Sequence, residues 1–359
     1  MSNVKKILIA SGGTGGHIIP ALSLYNFLKD ENYIVKLSTD LRGMTYIKNI
    51  NTENIKIIDT STIVKSKKFK SFLKIISAII KSFIFLIKDR PSLVIGMGGY
   101  SSFPICFSAV ILKIPIIIYE NNICFGKANK FLVPFAKKIL VNYNEFEGIK
   151  DNYKHKIKVI GNILRKKILD FHSFKDDNYE KFNILILGGS QAAKSFAEKL
   201  PKIFIELNKR KIKIKIFQQC QPEQNEVLRK VYEHNKIEYS IFNYTHDMDS
   251  LYKQTNLAVT RAGSSALAEL LNCRIPIIAI PLVHSADDHQ YKNAVYYEKK
   301  GFGIMIKEDK IENDLLHLLQ KLYNKKSILK LIKSNQSKYS DIDVFKKINS
   351  ELKEFLYEN

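Results

Sequence analysis

Along both halves of the chain, short unbroken apolar runs alternate with longer stretches whose apolar residues recur every three or four positions. The runs predict buried strands and the stretches amphipathic helices, the alternation of a parallel sheet covered by helices. In the first half, strands are predicted near Lys6–Ala10, Ile34–Ser38, Ile55–Asp59, Leu93–Gly96, Pro115–Tyr119, Ile139–Asn142 and Lys158–Ile160. The pattern restarts at Phe182–Leu187 and continues near Ile212–Phe217, Ser240–Phe242, Leu257–Val259, Ile275–Ile280 and Gly303–Ile306. After Ile306 the chain reads as lysine-rich helix, closing with an amphipathic segment from Val344 to Leu356. A polar, charged stretch from Gly161 to Asp177 separates the halves. Two α/β domains are therefore expected, 1–163 and 164–359, with the last helix able to fold back on the first domain.

Each half begins with a strand that runs into a glycine turn. Ile7-Leu8-Ile9-Ala10 leads into Ser11-Gly12-Gly13-Thr14-Gly15-Gly16-His17, with a helix predicted from Ala21 to Lys29. A strand-to-helix turn stripped of side chains lets backbone N–H groups and a helix N-terminus approach an anion, normally a phosphate. His17 adds a titratable group beside that position. Three further clusters stand at strand ends: Gly96-Met97-Gly98-Gly99-Tyr100-Ser101-Ser102, Gly188-Gly189-Ser190-Gln191, and Thr260 to Glu269. In the last, small residues open a helix that carries Glu269 one turn in, where a carboxylate can accept hydrogen bonds from ribose hydroxyls. One such turn is a common structural device; four at strand ends in two domains point to a ligand in a cleft between them. Gly13-Thr14-Gly15 with Asp40 is only a partial dinucleotide fingerprint, because Ile18 stands where the third glycine belongs. No G-x-x-x-x-G-K-[ST] is present, so a nucleoside triphosphatase loop is not supported.

Composition adds a compartment and a charge. Cys106, Cys124, Cys220 and Cys273 are scattered, with no C-x-x-C pair and no zinc spacing, which predicts a reducing compartment and no structural metal. No secretory leader is read at the start, where Met1 to Lys6 precede only four apolar residues. The net charge of +22 fits an anionic partner (membrane surface, nucleic acid or phosphorylated substrate) or simple compositional drift. Its placement from Phe69 to Lys88 separates these readings. Lys70, Lys74, Ser77, Lys81 and Lys88 fall on one helical face, and Leu73, Ile76, Ile80, Phe83, Ile84 and Ile87 supply a broad apolar remainder. So many lysines argue against a spanning helix. An interfacial helix on anionic lipid fits better, with its lysines snorkelling and Lys65, Lys67, Lys68 and Arg90 extending the basic flank. The competing reading is a core helix covering the first sheet.

Four motifs, Gly12-Gly13-Thr14-Gly15-Gly16-His17, Gly96-Met97-Gly98-Gly99-Tyr100, Gly188-Gly189-Ser190-Gln191, and His289-Gln290 with Asn293-Ala294, run in this order within Lys5 to Ile306. Together they resemble the MurG family, the N-acetylglucosaminyltransferases that complete lipid II in peptidoglycan synthesis. The resemblance implies a GT-B fold, two Rossmann-like doubly wound domains facing across a cleft, the first taking the acceptor and the membrane and the second the donor. It implies UDP-N-acetylglucosamine as donor and lipid I, undecaprenyl-pyrophosphoryl-N-acetylmuramoyl-pentapeptide, as acceptor. The new bond would be β(1→4), formed with inversion at the cytoplasmic face of the inner membrane by a peripheral protein. Matched by motif, Thr14, Gly15 and Gly16 fall in the donor-contacting first loop, and Asn122 on the asparagine of the family's Glu-Gln-Asn segment. Arg165 matches the arginine of Gly-Asn-Pro-Val-Arg, Ser190 the serine of Gly-Gly-Ser-Gln, Gln290 the glutamine that reaches the donor, and Glu269 the ribose acid. Gly98, Gly99 and Tyr100 fall on the acceptor side. Ile163, Ala192 and Tyr119 depart from the family's proline, glycine and histidine.

Inverting transfer needs a base for the attacking hydroxyl. His17 is the first candidate, because its loop sets it beside phosphate-binding backbone; Glu120, a carboxylate at a strand end, is the rival. Arg261 and His284 also lie near the cleft by sequence position, but surface or core packing explains them at least as well as catalysis, and they are left out of the catalytic set. Asp287-Asp288 is not a D-x-D at a strand end, so no metal or other cofactor is expected. Charge on the departing UDP is assigned instead to the N–H groups and helix dipoles around Ser190 and Ser264-Ser265, with Arg165. The other classes are a two-domain UDP-sugar epimerase, a nicotinamide-dependent dehydrogenase, a non-catalytic nucleotide binder and a nucleic-acid-binding protein. The epimerase leaves the lysine-rich amphipathic segment without a purpose, and nucleic acid explains the charge but not the glycine turns.

Overall fold

A computed structural model describes residues 5–47, 50–60, 68–171, 180–245 and 247–357. The chain forms two compact units, one of residues 1–165 and 341–359 and the other of residues 166–340. In the first, the chain order is β1 (Lys6–Ala10), α1 (Gly15–Asp30), β2 (Ile34–Thr39), α2 (Leu41–Met44), β3 (Ile55–Ile57) and α3 (Lys68–Asp89). There follow β4 (Leu93–Gly96), α4 (Phe103–Ile111), β5 (Ile116–Glu120), α5 (Lys127–Leu132), β6 (Lys138–Val141) and β7 (Ile157–Val159). The second unit runs α6 (Lys166–Leu169), β8 (Phe182–Leu187), α7 (Gly189–Lys209), β9 (Ile214–Gln219), α8 (Asn225–His234), β10 (Glu238–Phe242) and α9 (Met248–Gln254). It continues with β11 (Leu257–Thr260), α10 (Ser264–Asn272), β12 (Ile277–Ala279), α11 (His289–Lys299), β13 (Gly303–Met305), α12 (Ile311–Asn324) and α13 (Lys326–Ser337). The closing helix, α14 (Val344–Tyr357), belongs to the first unit.

Both sheets are parallel and share one winding. Their strand orders are β3-β2-β1-β4-β5-β6-β7 and β10-β9-β8-β11-β12-β13, each reversing direction beside its first strand. Ligands of such sheets bind beyond the carboxyl ends of the strands at this reversal. The glycine turns after β1, β4, β8 and β11 lie at those ends. The strands were predictable because both faces are covered: Ile7, Leu8, Ile9 and Ala10 are all fully buried, as are Ile184, Leu185 and Ile186.

The first helix departs from the expected start at Ala21. It begins at Gly15, because Thr14 takes an extended conformation and its carbonyl accepts from the amides of His17 (3.1 Å) and Ile18 (3.3 Å). His17 therefore sits in the first turn of α1 and not in a loop before it. Pro20 lies inside the helix and has no N–H for the carbonyl of Gly16, four residues earlier. That carbonyl accepts instead from Asn121 Nδ2 at 2.9 Å.

α14 is anchored by a stripe of Val344, Ile348 and Leu352, each essentially buried, and by Phe345 stacked on Phe27 of α1 at 4.7 Å. Its Glu351 and Glu354 both pair with Lys138 on β6, at 2.6 and 3.1 Å.

The turn after β1 is held by one carboxylate. Asp40, completely buried at the end of β2, accepts from the amides of Gly13 (3.0 Å) and Gly43 (2.8 Å), from Arg42 (2.7 Å) and from the Ser101 hydroxyl (2.8 Å). It thus ties the first glycine turn to the turn after β4, and does not stand open for a ribose as a dinucleotide-binding acid would. A Cβ at Gly12 would come within 2.8 Å of Ser101 Cβ, so the two turns meet only because residue 12 has no side chain. Burial works against the charge of Asp40, but those amides, the guanidinium and the hydroxyl outweigh it and hold the carboxyl below its ordinary range. A carboxyl depressed in this way contributes its stability above the unfolded-state value and loses it as pH falls through the folded one. Asp40→Asn is expected to lower the unfolding free energy by about 1–3 kcal/mol at neutral pH. In urea titrations, the gap between wild type and variant should narrow as the pH is brought below the carboxylate range.

Candidate active site

In the first unit the candidates converge on His17. Its Nδ1 lies 3.1 Å from the carbonyl oxygen of Met97. A carbonyl only accepts, so this contact calls for a proton on Nδ1, which in the neutral ring puts the lone pair on Nε2. The ring rests against Gly98 and Gly99. A Cβ at Gly98 would meet His17 Cε1 and Nδ1 at 3.4 Å, and one at Gly99 would meet His17 Cδ2 at 3.2 Å. Both glycines also have positive φ, +83° and +77°, which side-chain-bearing residues rarely adopt. The second glycine cluster is therefore the seat of the histidine that ends the first. Tyr100, next in that turn, is about a third exposed. Thr14 is exposed, and Gly15 and Gly16 open α1 with no side-chain cap at its N-terminus.

Glu120 is placed differently from a base awaiting a proton. It is 3% exposed, and both carboxylate oxygens are engaged. Oε1 accepts from the amide and the Nδ2 of Asn122, each at 3.1 Å, and Oε2 from the amide of Gly126 (3.0 Å) and Asn129 Nδ2 (2.9 Å). These bonds wrap residues 121–126 around the end of β5. Asn122 Nδ2 also donates to Asn121 Oδ1 at 2.9 Å, and Asn121 reaches Gly16. Asn129 Nδ2 in turn lies 3.4 Å from where a Cβ of Gly98 would stand. His17, Gly98, Asn129, Glu120, Asn122, Asn121 and Gly16 thus close a ring at the carboxyl ends of β1, β4 and β5. Asn121 and Asn129 were not singled out from sequence; only the turn of the chain after β5 brings them to the ring, and neither has a local signature. Arg165 is the last residue of this unit before the chain crosses over.

In the second unit the candidates collect beyond β8 and β11. Ser190 is the second residue of α7, whose preceding Gly188 offers no side-chain cap. α10 begins at Ser264 after Gly263, again uncapped, and a Cβ at Gly263 would meet nothing within 4 Å. A helix N-terminus with open space before it is suited to an anion. Glu269, 8% exposed, accepts from the Tyr252 hydroxyl at 2.8 Å. Gln290 Oε1 accepts from the amide of Leu282 at 3.0 Å, and Asn293 Nδ2 donates to the carbonyl of Ala262 at 3.2 Å. Arg261 is buried against Glu308, Ser195 and the carbonyls of Ile280 and Pro281. Burial opposes the charge of Glu308, but the Arg261 guanidinium and the Ser195 hydroxyl hold its carboxyl below the usual range. These contacts hold the guanidinium of Arg261 inside the second unit. Among the described residues, no group of three or more His, Cys, Asp or Glu side chains is arranged to hold a metal ion.

The helix predicted from Phe69 to Lys88 is α3, and its polarity is inverted relative to a core helix. It turns Ser71, Ala78, Ser82 and Leu86 inward, with Ser108 of α4 donating to the carbonyl of Ile79 at 3.0 Å. Phe72, Leu73, Ile76, Ile80, Ile84 and Ile87 face out, each 37–58% exposed, with Lys74, Lys81 and Lys88 exposed among them. Small residues permit close approach to α4, and that leaves the large ones outside. Lys65 and Lys67 of the predicted basic flank lie outside the described residues. The apolar surface continues over α4 and α5, where Phe103, Phe107, Phe131 and Phe135 form an aromatic row and Ile111, Phe131 and Phe135 are about half exposed. Among the described residues, no helix is long and apolar enough to cross a membrane.

Comparison with known proteins agrees with this arrangement. Residues 7–141 match the glycosyltransferase family 28 N-terminal domain, and residues 183–348 the family 28 C-terminal domain. The UDP-N-acetylglucosamine--N-acetylmuramyl-(pentapeptide) pyrophosphoryl-undecaprenol N-acetylglucosamine transferase of Pelagibacter ubique is 36% identical over 360 residues, 99% of each chain. Among solved structures, MurG of Acinetobacter baumannii superposes with a TM-score of 0.75 at 23% identity, over 98% of this chain and 99% of that one. A UDP-N-acetylglucosamine 2-epimerase superposes with a TM-score of 0.66 at 14% identity, over 100% and 98% of the two chains, which shows a shared fold and no more. The fold is of the GT-B type, and the chain belongs to glycosyltransferase family 28 and, within it, to the MurG family of N-acetylglucosaminyltransferases.

Proposed function

We propose that the protein transfers N-acetylglucosamine from UDP-N-acetylglucosamine to the C4 hydroxyl of lipid I, giving lipid II for peptidoglycan synthesis. The observation that carries the chemistry is the seating of His17, with Nδ1 3.1 Å from the Met97 carbonyl, so that in the neutral ring Nε2 is the nitrogen able to accept a proton. In this reading Nε2 takes the proton of the C4 hydroxyl as its oxygen attacks C1 of the donor sugar. The bond from C1 to the diphosphate breaks on the opposite face, so the anomeric centre inverts and UDP departs. Glu120 serves as the fastener of the 121–126 loop, since both of its oxygens are already committed to that loop. Gly98, Gly99 and Tyr100 meet the acceptor, and Thr14, Gly15, Gly16 and Asn122 the donor sugar. Ser190 and the N-termini of α7 and α10, with Arg165, offset the charge that grows on the diphosphate. Glu269 holds the ribose and Gln290 completes the donor contacts. No resident cofactor and no nucleic acid enter this scheme.

The acceptor's polyprenyl tail stays in the bilayer, and the outward apolar face of α3, α4 and α5 with its lysines is suited to meet it there. The protein is accordingly assigned to the cytoplasmic side of the inner membrane, as a peripheral protein on anionic lipid. A UDP-sugar epimerase would need no such face.

Incubating the purified protein with UDP-N-acetylglucosamine and a short-chain lipid I analogue should yield the disaccharide product. His17→Ala should cut turnover by about 100-fold or more, and near-wild-type turnover with normal acceptor binding would remove His17 from the role of base. Turnover is expected to persist in a chelator of divalent ions; an absolute requirement for such an ion would contradict the role given to the helix N-termini. Separately, the protein should co-sediment with anionic vesicles at low salt, and Ile80→Glu with Ile84→Glu should abolish this. Absence of wild-type binding to such vesicles would refute the membrane assignment.

A further inference from the structure

A line of buried side-chain amides joins the first turn of α1 to the point where the chain returns from the second unit. It starts at the Gly16 carbonyl, which Pro20 leaves without its helical donor, and which accepts from Asn121 Nδ2 at 2.9 Å. The backbone carbonyl of Asn121 accepts from Asn142 Nδ2, also at 2.9 Å. The same Nδ2 donates to Asn162 Oδ1. Asn162 then donates twice to Asp341, its amide to Oδ1 at 2.8 Å and its Nδ2 to Oδ2 at 2.9 Å. Asn121, Asn142, Asn162 and Asp341 are each 2–5% exposed, so every member has given up its water and depends on the next.

The endpoint is built for this carboxylate. Gly161 has φ +96°, and a Cβ there would stand 2.5 Å from Asp341 Oδ1. Ile163 is fixed on the other side by donating its amide to the Tyr119 hydroxyl at 3.2 Å. The chain leaves the first unit after Arg165 and re-enters it at Asp341, so the carboxylate holds the return of the chain to the segment of its departure. A purely local fastening would need only Asn162 and Asp341. The line continues through two further strand ends, β6 and β5, to the one carbonyl of α1 that a proline has vacated.

We infer that Asp341 is a positioning residue for the transfer reaction, acting through Asn162, Asn142 and Asn121 to fix the first turn of α1 and with it the His17 ring. The role rests on the reading of His17 as base. The direction of each hydrogen bond makes the relay testable by exchange. In Asp341→Asn, whichever way the new amide turns, one donor faces a donor of Asn162. In Asn162→Asp, two carboxylates face each other. In the double variant Asp341→Asn with Asn162→Asp, the acceptor for the 162 amide is kept, the new Asn donates to the new carboxylate, and that carboxylate still accepts from Asn142.

The experiment measures steady-state transfer to a short-chain lipid I analogue and thermal unfolding for wild type, the two single variants, the double variant and Asn121→Ala. Both single variants are expected to lose kcat by about tenfold or more, with KM for UDP-N-acetylglucosamine within about twofold, because displacement of a catalytic group costs rate before it costs binding. The acid limb of their pH–rate profile should shift, which a mere loss of folded enzyme would not produce. The double variant should recover most of kcat. Asn121→Ala, which breaks the line at its far end and spares Asp341, should show the same loss of kcat while unfolding within a few degrees of wild type. Single variants within twofold of wild-type kcat, a double variant no better than its parents, or an unimpaired Asn121→Ala would overturn the relay. Wild-type turnover in the same assay tests the transferase reading and His17→Ala tests the base, so failure of either is distinguishable from failure of the relay.

Discussion

The contact between an imidazole and two consecutive glycine peptides organises the first unit. His17 can lie against Gly98 and Gly99 only if neither carries a Cβ, and its Nδ1 can reach the Met97 carbonyl only if the chain turns through two positive φ angles immediately after it. The turn after β4 must therefore be glycine-rich for the sake of a side chain on α1. The turn after β1 is glycine-rich for the reciprocal reason, since Gly12 has to pass Ser101 and Gly13 has to present its amide to Asp40. Two glycine clusters that each resemble a phosphate cradle are in the first place the two halves of one seat. In the proposed reaction, phosphate binding falls to the helix N-termini of the second unit.

Electrostatics follow the same division. Two carboxylates at the strand ends of this unit, Asp40 and Glu120, are buried and occupied by amides, hydroxyl and guanidinium groups. They act as fasteners that hold backbone segments at fixed spacing, and that rigidity is what a base needs if its lone pair is to point at one hydroxyl. In a parallel sheet the strands supply little besides direction, so the loops at their carboxyl ends have to be pinned by side chains. Here the pins are Asp40, Glu120 and asparagines, whose polar groups satisfy neighbouring backbone.

Much of the fold was legible because buried parallel strands are written as short apolar runs that end in turn residues, as Ile184 to Leu187 and Leu93 to Ile95 do before their glycines. The start of α1 was hidden because four glycines and a proline carry the propensities of a loop; the helix begins there through the Thr14 carbonyl and the tertiary bond to Gly16. His17 and Gly98 could each be picked out, but their contact spans about eighty residues and has no local trace. Asn121, Asn129 and Asn142 were illegible for the same reason, since an asparagine near a strand end is ordinary until the fold shows what it bonds. The helix α3 was legible as amphipathic but not as to which side faces out. Ser71, Ala78 and Ser82 decide that, because packing against α4 favours small residues and expels the large ones.

The state of the His17 ring tests this account most directly. Long-range proton–nitrogen correlation spectra of protein labelled with nitrogen-15 histidine report which ring nitrogen carries the proton in the neutral form. The account predicts a protonated Nδ1 and an unprotonated, pyridine-like Nε2 for His17, and loss of that preference when Gly98→Ala or Gly99→Ala disturbs the seat. A neutral His17 with its proton on Nε2 would contradict it, because the nitrogen turned from Met97 would then have no lone pair with which to take the acceptor's proton.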